Sequence, residues 1–418
     1  MIDLPSSFVD RARDCASFLA DEDDILLISH IDADGLTSAG IASTALDRAG
    51  IEHETRFSKQ LDDDDLDEIE SDGYDTVLFT DFGSGLLDDI GERDITPVVA
   101  DHHQPEGDCE YHLNPLLFDI DGSSEISGAG TAYVLARALA EVSEDHRASA
   151  DGGVIDAPSE VAETNTDLAA LAVVGAVGDM QNAREGRLVG ANREIIDEGV
   201  EAGVLEAERD LLLFGRQTRP LPKLFEYSTD VFVPGISNNK KGATEFLKDA
   251  GVELKSDGDW RRWVDLSDDE KQVVMNSFFK KCMERGVSSE DIDSLVGETY
   301  TLKHEDVGTE LRDASEFSTL LNSTARYRRA DVGFAVCKGE RGEAFDEARK
   351  LLRNHRRNLR NGIDFVGENG VTKLDNLQYF DAGDEIQDTI VGIIAGMSYS
   401  LDSVDRSVPI VAFAESEE

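Results

Sequence analysis

Asp23-Asp24-Ile25-Leu26-Leu27-Ile28-Ser29-His30-Ile31-Asp32-Ala33-Asp34-Gly35 decides the fold class of this chain. A short apolar run rich in branched residues reads as a buried strand, and it ends in one imidazole and two carboxylates. On an extended segment alternate residues point the same way, so His30, Asp32 and Asp34 are expected to share a face. Gly35 permits a tight turn, and Thr37 and Ser38 then open a helix whose first N–H groups suit a phosphate. That helix, Leu36 to Ala49, is closed by Gly50.

The same arrangement recurs downstream. Asp81 follows the run 76–80, Asp101-His102-His103 follows 96–100, and Asp179 follows the apolar run 171–178. The last run overlaps a stretch, 165–176, that also reads as helix, and a further helix is expected at 130–142. Repeated β-α-β spacing predicts an α/β fold: a parallel sheet with helices on both faces. In such sheets ligand sites gather outside the carboxyl ends of the strands, so four strand-end groups can converge on one point. Singly, each has a bland reading. Asp81 serves as an N-cap, Asp179 as a loop residue, and His30-x-Asp32-x-Asp34 as one more acidic loop in an acidic chain. Adjacent histidines are harder to dismiss where the chain holds 8. Carboxylates mixed with imidazoles suit Mn²⁺ or a similar ion pair, the donor set of two-metal phosphoester cleavage.

These residues also resemble the motifs of the DHH phosphoesterase superfamily, named for the triplet seen here as Asp101-His102-His103. His30-x-Asp32-x-Asp34-Gly35 is similar to its first motif, Asp81 to its second and Asp179 to its fourth. Leu113-Asn114-Pro115, Ser127-Gly128-Ala129-Gly130-Thr131 and Ala314 to Asn322 resemble further family segments, in the archaeal RecJ-like form of single-strand nucleases. The resemblance implies a DHH domain at 1–200 and a mainly helical middle region at 201–375. A smaller C-terminal α/β domain would begin at 376–418, apparently incomplete because no Gly-Gly-His-type motif precedes Glu418. It implies two Mn²⁺ ions, or Mg²⁺, held by Asp32, Asp34, Asp81, His102 and Asp179, with Asp81 bridging. His30 would ligate or stand just outside, His103 would face the phosphate, and Asp101 would orient the imidazoles. Metal-activated water would cleave single-stranded DNA or RNA. It also admits three alternatives. Two are a small phosphoester or oligonucleotide hydrolase of nanoRNase type and a 3′-phosphoadenosine 5′-phosphate phosphatase. The third is a non-catalytic replication scaffold partnered by the GINS complex.

With 418 residues the chain can build two or three domains around a large core. Its formal charge is −48, from 88 acidic against 40 basic residues. That balance ordinarily argues against nucleic acid. Dispersed over a globular chain, it reads instead as adaptation to a halophilic cytoplasm, where screening makes self-repulsion cheap. The 4 cysteines form no Cys-x-x-Cys pair, which fits a reducing compartment. Neither a signal peptide nor a long apolar span is evident, so no membrane partner is expected.

A polar, Gly-rich surface excursion is expected at 145–160. Helices are expected at Asp268 to Arg285 and Phe345 to Asn361, a strand or helix start at Asp388 to Met397, and a strand with a later hairpin partner at 408–414. Arg349, Arg353, Arg356 and Arg360 recur at helical spacing, joined by Arg357 and preceded by Arg326, Arg328 and Arg329. The functional reading is a ridge that tracks the phosphates of single strands, helped by stacking on Phe82, Tyr133 or Tyr327. The plain reading is a helix face paired with acids.

Overall fold

The computed structural model describes residues 4–149, 163–228 and 231–415. Most of the excursion expected at 145–160 lies outside these described residues. The chain divides into two compact units, Met1–Thr319 and Leu320–Glu418, where boundaries near 200 and 375 were expected.

The first unit contains one sheet of strands β1 (Asp24–His30), β2 (Glu52–Ser58), β3 (Thr76–Thr80), β4 (Thr96–Ala100) and β5 (Tyr111–Leu113). Their order is β2-β1-β3-β4-β5, and every pair is parallel. Ser29 pairs with Thr80, and Thr80 with Ala100. The carboxyl ends of β1, β3 and β4 are therefore level, and His30, Asp81 and Asp101 emerge side by side.

The central strands are apolar at nearly every position because both faces are covered. Helices α1 (Ser6–Ala20), α2 (Ala33–Ala49), α3 (Asp63–Ser71), α4 (Leu87–Ile90) and α5 (Gly128–Ser149) flank the sheet. Leu26, Ile28, Val77, Phe79 and Val99 pack on Leu66, Ile69, Leu87 and Ile90 of α3 and α4. The α2 and α5 helices contact β1, β3 and β4 as well. Each fully buried Leu, Ile, Val or Phe contributes about 1.5–3 kcal/mol.

Two local expectations change. The extended run stops at His30, and α2 begins at Ala33, with Asp32 as its N-cap accepting from Gly35 N–H at 3.1 Å. That N–H is thus committed to Asp32, and Thr37 and Ser38, expected to open the helix, lie buried in its second turn. The run 171–178 is no strand: Ala169–Gly178 is helix α6, and Asp179 is its C-cap. Packed against α2 and α5, α6 is apolar on nearly all sides and shows no polar stripe to betray its period.

After helix α7 (Ala191–Glu201) the expected helical middle also holds an antiparallel pair, Leu205–Leu211 with Val296–Leu302. Between these strands lies an aromatic core of Phe225, Phe246, Trp263 and Phe278. The helix expected from Asp268 is Asp268–Glu284.

In the second unit Glu343–Asn369 forms one long helix, and Asp388–Met397 is helical. Ile410–Phe413 is a strand whose neighbour is the earlier Gln378–Asp381, parallel to it. A crossover through the Asp388–Met397 helix therefore joins these two strands. No helix among the described residues is long and apolar enough to cross a membrane.

Candidate metal centre

The eight acids and imidazoles expected at the site converge. Three groups each bring their ligating atoms within 4.8 Å of one another: Asp81, Asp101, His102 and His103; His30, Asp32 and Asp81; and Asp34, His102 and Asp179. Asp81 belongs to the first two groups and His102 to the first and third, so they form one continuous centre.

Each side chain arrives for a local reason. Asp81 follows β3 with φ 55°, a left-handed conformation that Asp tolerates better than most residues. Its N–H donates to Ala100 O at 3.0 Å, locking the turn to β4. Asp34 sits in the first turn of α2 and accepts from Gly128 N–H at 2.8 Å and Ala129 N–H at 3.0 Å, at the start of α5. The Ser127–Thr131 segment thus holds a carboxylate with a helix N-terminus. Glycine is required where helices close on these acids. A Cβ on Gly128 would lie 2.3 Å from Asp81 Oδ1, and one on Gly175 2.4 Å from Asp34 Oδ1.

The histidines are oriented differently. His102 Nδ1 lies 2.6 Å from Gly122 O. A carbonyl can only accept, so Nδ1 carries the proton and Nε2 faces Asp81 Oδ1 at 3.3 Å and Asp34 Oδ2 at 3.7 Å. His103 Nδ1 is 2.8 Å from Asp101 Oδ1, and its ring is exposed. Asp101, fully buried, also accepts from the N–H groups of Ser84 at 3.0 Å and His102 at 2.7 Å. His30 Nδ1 lies 3.2 Å from Asp32 Oδ2.

Charge crowding is evident. Burial and the charge of Asp34 push the Asp81 carboxyl well above its usual range, and burial likewise raises Asp34 despite the opposing charge of His102. Burial and Asp34 push Asp179 up to about 6. Burial opposes charging His102, but Asp81 and Asp34 outweigh it and push the imidazole up to about 11. The surrounding protein opposes ionising Asp32 and Asp101; hydrogen bonds from His30 and His103 prevail, and both carboxyls fall below the usual range.

The donor set fits divalent cations. Asp81 Oδ1 is buried without a hydrogen-bond partner, opposite an imidazole nitrogen whose ring proton is already committed on the other side. Hard carboxylates and imidazoles around such an oxygen suit Mn²⁺ or Mg²⁺.

A supporting layer surrounds these groups, of which only the Asn114 segment was singled out from sequence. Gln181 Nε2 donates to Asp179 Oδ2 at 3.0 Å and to Gly122 O at 2.9 Å, and Gln181 Oε1 accepts from Asn192 at 2.7 Å. Gln181 therefore couples Asp179 to the carbonyl that orients His102. Its place two residues after Asp179 was the available signal. Asn114 donates to His103 O at 2.8 Å and to Ser84 Oγ at 2.9 Å. Tyr133, offered as a stacking platform, is fully buried with its hydroxyl on Glu198, because α5 turns that face into the core. The arginines Arg349, Arg353, Arg356, Arg357 and Arg360 belong to the second unit. There the last four are exposed and Arg349 lies over the Phe345 ring at 4.3 Å.

Comparison with known proteins places this centre in a wider setting. Residues 213–296 match the model of the DHH-CID domain. An uncharacterized protein of Methanocaldococcus jannaschii is 26% identical over 382 residues, spanning 89% of this chain and 76% of its own. A manganese-bound exonuclease RecJ matches 98% of this chain and 81% of its own, with TM-score 0.55 and 15% identity. CDC45 from Entamoeba histolytica matches 97% and 85%, with TM-score 0.62 and 12% identity. Manganese-bound RecJ from Thermus thermophilus matches 97% of this chain but 46% of its own, with TM-score 0.53 and 16% identity. At such identities the likeness concerns the fold. The chain thus carries a match to the DHH-CID domain in its middle and shares the fold of RecJ and CDC45 around it.

Proposed function

We propose that this protein is a metal-dependent phosphodiesterase that hydrolyses single-stranded DNA or RNA from an end, with two Mn²⁺ ions, replaceable by Mg²⁺, as cofactors. The observation that carries this reading is the convergence of Asp32, Asp34, Asp81, His102 and Asp179 beside an exposed His103. Asp81 would be shared between the ions, with Asp32 and His30 grouped beside it and Asp34, His102 and Asp179 forming the neighbouring group. Ions held there would supply positive charge and a water of lowered pKa. Asp101 anchors His103 through Nδ1, leaving Nε2 to meet a phosphate oxygen or a leaving group. Asn114 and Ser84 hold the backbone of that loop, and Gln181 fixes Asp179.

Arg353, Arg356, Arg357 and Arg360, with Arg349 at their edge, are proposed to follow the phosphates of the strand. The charge of −48 supports a cytoplasm of high salt as the working compartment, and replication or repair proteins such as GINS are candidate partners. The CDC45 likeness favours one second reading, a non-catalytic scaffold; the complete acid and imidazole set speaks against it.

A time course with 5′- and 3′-labelled DNA and RNA oligomers, in Mn²⁺ and multimolar KCl, tests the proposal. Stepwise shortening that is lost in a folded Asp81→Ala variant supports it. Intact oligomers with wild-type protein leave the scaffold, and cleavage restricted to the shortest oligomers supports the small-substrate hydrolase.

A further inference from the structure

The stretch from Ala314 to Asn322 plays no part in the centre described above. It opens the helix Ala314–Arg326. Asp313 caps that helix, accepting from the N–H groups of Ser315 at 3.0 Å and Glu316 at 3.1 Å. Successive helical residues are turned by about 100°, so Glu316 and Ser318 face nearly opposite ways. Each meets a different part of the first unit.

Glu316, 1% exposed, faces the start of the segment that matches the DHH-CID domain. Its Oε1 accepts from Gln217 N–H at 2.8 Å and its Oε2 from the Thr218 hydroxyl. Beside it Asp313 pairs with the buried Arg216, which also donates to Asp210 at 3.1 Å. Asp210 in turn accepts from Trp263 Nε1 at 2.8 Å, in the aromatic core. Buried charges are tolerated only while their partners are in place, so this join is held to one geometry.

Buried Ser318 faces the metal centre. A Cβ on Gly178 would lie 3.3 Å from Ser318 Cβ and 2.9 Å from Ala33 Cβ, so the end of α6 is pinched between the two. Gly178 immediately precedes Asp179, and Ala33 lies between Asp32 and Asp34.

We propose that the start of this helix is a strut, in which Glu316 and Ser318 are positioning residues for the metal centre. Footed on Gln217 and Thr218, it presses Ser318 on Gly178 and so sets Asp179 against Asp32 and Asp34. The inference rests on the metal-centre reading, and gives the segment 213–296 a bearing on metal affinity without contact to the metal.

Mn²⁺ affinity by calorimetry, set beside Tm, tests the strut in the full chain. Glu316→Ala removes the acceptors of Gln217 and Thr218, and should weaken Mn²⁺ binding at least about tenfold. Glu316→Gln keeps both hydrogen bonds, its amide oxygen accepting from Gln217 and its NH₂ donating to Thr218, and should restore wild-type affinity. Phe278→Leu, in the aromatic core, lowers Tm with the strut intact and should leave Mn²⁺ affinity unchanged. Where Glu316→Ala fails to fold, Thr218→Val removes one donor alone and should weaken binding in the same direction. Wild-type affinity in folded Glu316→Ala, or in Thr218→Val where the alanine variant does not fold, overturns the strut. So does a loss in Glu316→Gln, or one in Phe278→Leu, equal to that in Glu316→Ala. Wild-type protein that binds no Mn²⁺ overturns the metal centre too, which keeps the two failures apart.

Discussion

Replacing Gly128 by alanine probes how tightly the fold holds the metal centre. The added Cβ would lie 2.3 Å from Asp81 Oδ1, 2.5 Å from Asp81 Cβ and 2.7 Å from Asp81 Cγ. Ordinary contact begins near 3.5 Å, so about 1 Å of movement is needed. Asp81 cannot easily supply it: the residue is 2% exposed, lies at φ 55° and is tied by its N–H to Ala100. The start of α5 is no freer, because Gly128 and Ala129 N–H groups hold Asp34. Overpacking of this kind costs about 1–3 kcal/mol, offset by up to about 1 kcal/mol of helix propensity. The net loss of stability should therefore be at most about 3 kcal/mol, several degrees of Tm in a unit of this size. The effect on the centre should be larger, because Asp34 and Asp81 shift together. We expect Mn²⁺ affinity by calorimetry to fall at least about tenfold, and the Mn²⁺-induced rise in Tm to shrink with it. A Gly128→Ala protein that binds Mn²⁺ as wild type does, with unchanged Tm, would refute the argument that the helix start and the two acids are in rigid contact.

Three further outcomes are expected. Burial and the charge of Asp313 push Glu316 up to about 7, so between its unfolded pKa of about 4.3 and 7 the folded state binds more protons than the unfolded one, and stability falls as pH rises. Glu316→Gln should remove that contribution, of up to about 3 kcal/mol; a difference in Tm between variant and wild type that stays constant from pH 4.5 to 8 would count against it. Arg353→Gln combined with Arg360→Gln should make the slope of log affinity against log salt for single strands less steep by about 1.4, read by fluorescence anisotropy, and an unchanged slope would remove these residues from the interface. Gly392, exposed in the Asp388–Met397 helix with open space for 4 Å around an added methyl, should tolerate alanine with a gain of about 0.5–1 kcal/mol, measured by denaturant unfolding.

How far the site was legible depended on how local its causes are. The strand runs before His30, Asp81 and Asp101 are short, branched and wholly buried, so they announce themselves. The level ends of β1, β3 and β4 then follow from parallel pairing. Asp179 was found for a mistaken reason. Its preceding run is a helix, but an all-apolar helix and a buried strand look alike when no polar face marks the period. Gln181 and Gly122 escaped notice because the contact that joins them spans 59 residues, and the Asn-Pro segment was seen without the bond from Asn114 to His103 O, 11 residues before it.

Chemistry and fold class were therefore written in the chain itself: β-α-β periodicity calls for a parallel sheet, and acids with imidazoles at its strand ends call for a hard divalent cation. Tertiary structure decided the rest. It chose Nε2 of His102 as the inward nitrogen through one carbonyl, brought the Ser84 N–H to the buried Asp101 carboxylate, and turned Tyr133 into the core. Each of these outcomes depends on groups far apart in sequence meeting at a few ångströms, and packing alone determines that.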